Sequence, residues 1–206
     1  MQEGYDLRNI RVLVVEKQLF MWRLLGDVLN QLGVTRVVKV SSIDQAFAVF
    51  NQNQVDLIFL DWAPDMDALG FLAQVRDTKT SRDPFVPVIV VTAYSECMHV
   101  CKARDAGMTQ YLAKPISARR LYGRIKSIVE RNRDFVFTDN FFGPDRRRKR
   151  MAPDGSARRN FTPDVTDHNA AQKAVPDYGG FGDLLTARSA CWRRRWVNVC
   201  SNKPMT

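Results

Sequence analysis

The stretch that decides the fold is DLIFLD at residues 56–61, in which four consecutive apolar residues end at the carboxylate of Asp61. A short run with apolar residues on both faces is typical of a strand covered on both sides. Two similar runs, VIVV at 88–91 and YLA at 111–113, end at Thr92 and Lys114. Because the C-terminal ends of parallel strands meet at one edge of a sheet, we expect these three side chains to share one crevice.

Two kinds of hydrophobic pattern, one typical of strands and one typical of helices, alternate from residue 10 to about residue 131. Further strand-like runs lie at 10–15 and 37–40. Stretches with apolar residues three and four positions apart, typical of amphipathic helices, lie at 20–32, 42–50, 69–75, 97–106 and 117–129. This alternation predicts an α/β fold, a five-stranded doubly wound parallel sheet with flanking helices.

The alternating pattern ends after residue 131. We therefore predict one domain over residues 8–131, followed by a basic, largely disordered tail over residues 132–206. The charge supports this division, because residues 1–134 carry 18 basic against 15 acidic side chains and the remainder carries 13 against 7.

The composition excludes several other classes of protein. No apolar stretch approaches the ~20 residues of a membrane span, and the first nine residues lack the apolar core of a signal peptide. We expect a cytoplasmic protein. Four cysteines without the spacing of a small disulfide scaffold indicate reduced thiols, and Cys97 and Cys101, one helical turn apart, are interpreted as two helix-borne thiols rather than a zinc site.

Residues 10 to about 131 resemble the receiver domain of bacterial two-component response regulators. The resemblance rests on LVV before Glu16, on Asp61-Trp62 with a proline shortly after, on Thr92-Ala93 and on Lys114-Pro115. It implies that Asp61 accepts a phosphoryl group from a histidine kinase or phosphotransfer protein. Lys114 and Thr92 would then contact the phosphoryl oxygens, by charge and by a hydroxyl hydrogen bond.

The resemblance also implies a metal ion, a switch and an output. Mg²⁺ would be held by Glu16, Asp61 and the backbone carbonyl of Ala63, and Tyr111 fits the aromatic switch residue of the family. Pro115 matches the proline that follows a cis peptide bond in the family. The output would be altered binding to a downstream protein, so the chain would be a signalling domain rather than an enzyme, apart from its own phosphotransfer and dephosphorylation.

Each of these residues also has an ordinary structural interpretation. Asp61 could cap a helix, Thr92 could be a β-former, Lys114 could be a solvated strand end, and Tyr111 could be a packing residue. Taken one at a time these interpretations are favoured. The phosphoacceptor interpretation is favoured only because the first three residues occur together, in order, at the ends of predicted strands.

Lys17 departs from the family pattern, because receivers usually place a second acidic residue there. With Lys17 and Lys114 opposite Glu16 and Asp61, the pocket would be near neutral, and Mg²⁺ affinity should fall. An ammonium about 4 Å from the carboxylate of Asp61 would interact by about 4 kcal/mol at an effective dielectric near 20. Two functions therefore stay open: a phosphorylatable receiver, and a phosphate-independent protein-binding module in which Lys17 replaces the metal.

The loop after Asp61 is a second departure. It is one residue shorter before its proline than the family pattern, and Ala68 stands where a glycine that permits positive φ is common. The Ala63 carbonyl could then lie off position for a metal.

Other functions receive less support. Residues 135–206 show neither a helix-turn-helix pattern nor zinc spacing, so the basic run at 146–150 does not favour nucleic-acid binding. Residues 16–18 read EKQ rather than a glycine-rich phosphate loop, which disfavours nucleotide or flavin enzymes. The sequence leaves open a homodimer through the fourth and fifth predicted helices.

Overall fold

The computed structural model describes residues 5–94, 96–130, 133–138 and 141–145. Five strands form the main sheet: β1 (Arg11–Val15), β2 (Arg36–Val40), β3 (Leu57–Asp61), β4 (Val88–Thr92) and β5 (Gln110–Ala113). Five helices alternate with them: α1 (Leu19–Gln31), α2 (Ile43–Gln52), α3 (Ala68–Arg76), α4 (Cys97–Asp105) and α5 (Ala118–Glu130). In the part of the chain described, no helix combines the length and apolar character that crossing a bilayer requires.

The sheet is parallel throughout, with the strand order β2-β1-β3-β4-β5. The chain moves outward from β1 to β2 and then returns to β3 on the other side of β1, so the order reverses between β1 and β3. Such a reversal opens a crevice beyond the C-terminal strand ends. The doubly wound fold predicted from the alternating periods is confirmed.

The strand β3 has core on both of its faces. Leu57 and Phe59 belong to a cluster shared with α1 and α5, whereas Ile58 and Leu60 belong to a second cluster shared with α2 and α3. All five residues of β3 are buried. This explains why its apolar run is continuous rather than alternating.

Local capping signals set several helix ends. Gly33 follows α1 with φ 87°, a conformation that costs glycine little. The Ser42 hydroxyl accepts a hydrogen bond from the Gln45 amide at the start of α2, and Asp67 accepts one from the Gly70 amide at the start of α3. Ala68 is the first residue of α3 and is buried, so alanine fits there.

An antiparallel hairpin extends the described structure beyond residue 131, where the sequence predicts a disordered tail. It consists of β6 (Phe135–Thr138) and β7 (Phe141–Pro144). The rings of Phe135 and Phe142 lie 5.0 and 5.3 Å from the ring of Phe85 in the domain. Residues 146–206 lie outside the described residues, so the prediction for that part of the tail stays a prediction.

The hairpin approaches the domain closely at a glycine. A Cβ atom on Gly143 would lie 3.1 Å from the Cα of Gly107 and 2.8 Å from the ring of Phe141. Two backbones therefore meet where a side chain would not fit. The sequence gives only a weak signal for this hairpin, because its strands are four residues long and their aromatic partner, Phe85, lies some fifty positions earlier in the chain.

We expect Phe142→Ala to lower the free energy of unfolding by about 1–2 kcal/mol, less than a fully buried phenylalanine because the ring is only half-buried. Urea denaturation of the full chain measures the change. Phe137→Ala is the matched control, since Phe137 lies in the same hairpin with 48% exposure. Equal losses for the two variants would contradict the packing of this hairpin on Phe85.

Candidate functional site

Three charged side chains converge at the C-terminal edge of the sheet. Asp61 is the last residue of β3, Glu16 follows β1, and Lys114 follows β5. The Lys114 ammonium lies 2.9 Å from Oδ1 of Asp61 and 3.1 Å from Oε2 of Glu16. Both carboxylates are only 4% exposed. A partly buried cation therefore bridges two buried carboxylates from neighbouring strands.

Burial and charge act on these groups in opposite directions. Burial raises the pKa of Glu16, the charge of Asp61 adds to this, and hydrogen bonds from the Gln18 amide and Lys114 oppose it. Burial alone would lower the pKa of Lys114, but the hydrogen bond and charge of Asp61, with those of Glu16, outweigh it and raise that pKa. The ammonium is therefore held charged between the two acids.

Thr92 lies at the same edge, at the end of β4, and is fully buried. Its hydroxyl donates to the carbonyl of Trp62 at 3.0 Å and accepts from the amide of Tyr94 at 3.1 Å. The hydroxyl thus contacts the residue directly after Asp61. The polar ends of β3, β4 and β5 meet as the sequence pattern predicts.

Tyr111 on β5 contacts the same loop as Thr92. Its hydroxyl donates a hydrogen bond to the carbonyl of Tyr94. Burial raises the pKa of Tyr111, and a hydrogen bond with Thr92 opposes this. The ring also packs against the core cluster of α2 and α3, so it combines a packing role with a polar contact to the loop after β4.

The structure corrects the expectation for Lys17. Its ammonium pairs with Asp65 in the loop after β3, and both side chains are more than half exposed, at 59% and 56%. A second ammonium beside Lys114 would place like charges together in a buried pocket, whereas Asp65 offers a solvated partner. Glu16, Asp61 and Lys114 therefore give the pocket a net charge of about −1 rather than the near neutrality expected from four charges.

The oxygen atoms near Asp61 fit a magnesium ion that takes few of its ligands from the protein. The carbonyl of Ala63 accepts a hydrogen bond from the Met66 amide at 3.1 Å, which uses one of its two lone pairs. Within the described ranges no cluster of three or more acidic, histidine or cysteine side chains could hold a metal. Mg²⁺ often binds through only one or two carboxylates and keeps several waters, so two carboxylates with a net negative charge suit it.

Sequence reasoning missed an aromatic stack next to the site. The imidazole of His99 on α4 lies parallel to the ring of Tyr94, with centroids 4.9 Å apart, and edge-on to Trp62 at 5.4 Å. The stack links the loop after Asp61 to the first turn of α4. The aromatic residues are visible in the sequence, but nothing in it signals that they meet.

Comparisons with known proteins agree on the class of domain. A family model described as the response regulator receiver domain matches residues 12–126. The phosphate regulon transcriptional regulatory protein PhoB of Escherichia coli is 31% identical over 122 residues, 59% of this chain and 52% of PhoB. The chemotaxis protein CheY of Pseudomonas aeruginosa is 28% identical over 123 residues, 59% of this chain and 98% of CheY. The chain thus spans about half the length of PhoB.

Solved structures show the same fold. A CheY-like receiver domain protein from Methanospirillum hungatei superposes with a TM-score of 0.51 at 23% identity, covering 57% of this chain and 91% of that chain. Chemotaxis protein CheY4 of Vibrio cholerae superposes with a TM-score of 0.52 at 21% identity, covering 58% of this chain and 98% of that chain. The family match ends at residue 126, before the hairpin of β6 and β7.

Proposed function

Because this chain belongs to the receiver domain family of two-component response regulators, we propose that Asp61 accepts a phosphoryl group from a histidine kinase or phosphotransfer protein. The supporting observation is the contact of 2.9 Å between the buried carboxylate of Asp61 and the ammonium of Lys114, with Glu16 beside them. A buried nucleophile next to a fixed cation is suited to phosphoryl transfer, which needs positioning and charge stabilisation more than covalent help.

In the proposed reaction a carboxylate oxygen of Asp61 attacks the phosphorus of a phosphohistidine. The P–N bond breaks, the imidazole leaves with the bonding electron pair, and Asp61 becomes an acyl phosphate. Lys114 neutralises charge on a phosphoryl oxygen as a point charge. Mg²⁺, held by Glu16, Asp61 and the Ala63 carbonyl, would supply further positive charge to the phosphoryl oxygens when bound.

The hydrogen bonds of Thr92 support a route from the site to the partner surface. To donate to a phosphoryl oxygen, the hydroxyl must leave the carbonyl of Trp62 and shift relative to the Tyr94 amide. Tyr111 is bonded to that same loop, at the Tyr94 carbonyl. We infer that phosphorylation shifts the population of two arrangements of this loop, of α4 and of β5, and thereby changes binding to a downstream protein.

The alternative of a phosphate-independent module with Lys17 in place of the metal gains no support. The ammonium of Lys17 contacts Asp65 and not Asp61. The bridging position between the acids belongs to Lys114. We further propose that the chain acts in the cytoplasm and performs no chemistry beyond its own phosphorylation and dephosphorylation.

The test is incubation of the full chain with a small-molecule phosphodonor and Mg²⁺, followed by intact mass measurement. We expect one phosphoryl adduct on the wild type and none on Asp61→Asn. Lys17→Ala should retain the adduct, because Lys17 faces the loop and solvent. Asp65→Asn is the matched control, as it removes an exposed acid close to the site.

Two outcomes would contradict the proposal. One is an adduct that survives Asp61→Asn. The other is a wild type without an adduct under conditions where Lys17→Asp gains one, which would mean that Lys17 blocks the reaction.

A further inference from the structure

Two thiols lie side by side on the first two turns of α4. Cys97 is the first residue of the helix and is exposed, and Cys101, one turn later, is partly buried. Their Sγ atoms are 3.9 Å apart. Residues four apart lie on the same helix face, and here the two side chains point toward each other.

We propose that Cys97 and Cys101 form a dithiol modification site, which a hydroperoxide oxidises to a disulfide within α4. The first turn of α4 must open for the bond to form, because Cβ atoms four residues apart in an α-helix lie about 5–6 Å apart and a disulfide requires about 3.5–4.5 Å. The sulfur atoms must approach from 3.9 Å to about 2.05 Å, which requires the backbone of that turn to move as well as the two side chains to rotate.

Cys97 is the first nucleophile of the pair because it is the exposed member and is the first residue of α4. The Arg104 guanidinium, which pairs first with Asp105, also lies close enough to both thiols for their charges to contribute to its raised pKa. The hydrogen bond to Cys97 is the main reason why the pKa of Cys101 is raised.

The chemistry balances with one hydroperoxide for each disulfide. The thiolate of Cys97 attacks an oxygen of the peroxide, the O–O bond breaks, and the departing alkoxide or hydroxide takes up a proton. Cys97 is then a sulfenic acid. The sulfur of Cys101 next attacks the sulfur of Cys97, the S–S bond forms, and the displaced hydroxide leaves as water with the proton of Cys101. Two thiols are oxidised by two electrons and the peroxide is reduced.

The fold can accept this bond because α4 is lightly anchored. Ala103 is its one buried residue in the described structure, and neither sulfur belongs to the core. Formation of the bond would open the first turn of the helix, next to His99 and its stack on Tyr94. The inference does not depend on phosphorylation of Asp61.

The test uses the full chain with Cys191→Ser and Cys200→Ser, which leaves only the α4 pair among the four cysteines. Hydrogen peroxide is the probe, and the readouts are free-thiol titration, intact mass and a non-reducing gel. We expect the loss of two thiols per chain, a mass lower by two hydrogens, a monomeric band, and full reversal by dithiothreitol.

A further single variant assigns the roles. With Cys101→Ser in the same background, we expect a sulfenic acid at Cys97 that dimedone traps, and no disulfide within the chain. The proposal is overturned if the pair keeps both thiols under peroxide, or if the only disulfides formed join two chains. It is also overturned if the pair forms no more disulfide than the Cys101→Ser variant.

Discussion

Replacing Arg76 by methionine is expected to lower the free energy of unfolding by about 3 kcal/mol or more. The side chain is buried at the end of α3 and donates to the carbonyls of Gly107 at 2.9 Å, Pro84 at 2.7 Å and Val86 at 2.8 Å. Each buried carbonyl that loses its partner costs about 1–3 kcal/mol. Burial lowers the pKa of Arg76 to about 9, so the guanidinium is still charged at neutral pH.

Arg76 also links the domain to the hairpin, because its guanidinium lies 5.3 Å from the ring centroid of Phe135. Urea denaturation of the full chain measures the loss, with Arg119→Met on the exposed face of α5 as the control, for which we expect a change within about 0.5 kcal/mol. A loss below about 1 kcal/mol for Arg76→Met would show that water or other donors satisfy the three carbonyls.

Lys114→Met is the second change with a large expected effect, a loss of about 2–4 kcal/mol at neutral pH. The substitution leaves the carboxylates of Glu16 and Asp61 buried together without the cation that bridges them. Breaking a fully buried ion pair costs about 3–5 kcal/mol, and the partial exposure of this site reduces the figure. Phosphorylation of Asp61 should also be lost or strongly slowed.

The loss should depend on pH in a defined direction. Burial already raises the pKa of Glu16, and Lys114 is one of the groups that oppose this, so the variant should bind a proton at Glu16 even more readily. A carboxyl whose pKa is raised in the folded state favours folding when protonated. The destabilisation by Lys114→Met should therefore be largest near pH 7 and shrink as the pH falls through the raised pKa of Glu16.

Wild-type stability should change at the opposite end of the pH scale. The raised pKa of Lys114 contributes stability that is fully present below the unfolded value for lysine and is lost as pH rises through the folded value. A wild-type denaturation series extended above the ordinary lysine pKa of about 10.4 tests this change.

Denaturation series from pH 5 to pH 8 test the effect at Glu16 by comparing Lys114→Met with Lys126→Met, whose exposed partner Glu130 lies 3.6 Å away. If the loss of stability in Lys114→Met did not change with pH, the ammonium of Lys114 would not be what stabilises the charged forms of the two acids.

Local sequence determined most of the architecture. The continuous apolar run of β3 places core on both faces, and this requires helices on both sides of the sheet. Gly33 directly follows the predicted helical stretch 20–32, and Ser42 is the first residue of the stretch 42–50; there they end α1 and cap α2. These signals depend on neighbours within a few positions, so they can be recognised from the chain alone.

Strand order also determined much of the candidate site. Asp61 and Lys114 follow two strands whose C-terminal ends must lie at one edge once the sheet is parallel, and their contact at 2.9 Å follows from that topology. Strand order did not determine whether the ammonium of Lys17 or that of Lys114 bridges the two acids. Lys17 is adjacent to Glu16 in sequence, yet it pairs with Asp65, 48 positions away. This ion pair depends on which exposed loops lie close together in the folded chain.

Only the tertiary structure decided the contacts between segments far apart in the chain, because hydrophobic periodicity does not predict which of these segments meet. Three sets of contacts belong to this group: the hydrogen bonds of Arg76 to three carbonyls, the packing of Phe135 and Phe142 on Phe85, and the ring contacts of His99 with Tyr94 and Trp62. Hydrophobic periodicity reports which face of an element is buried, but it carries no information about which distant side chain covers that face. Those pairings arise only when the elements pack, since each depends on the distance and direction between segments far apart in the chain.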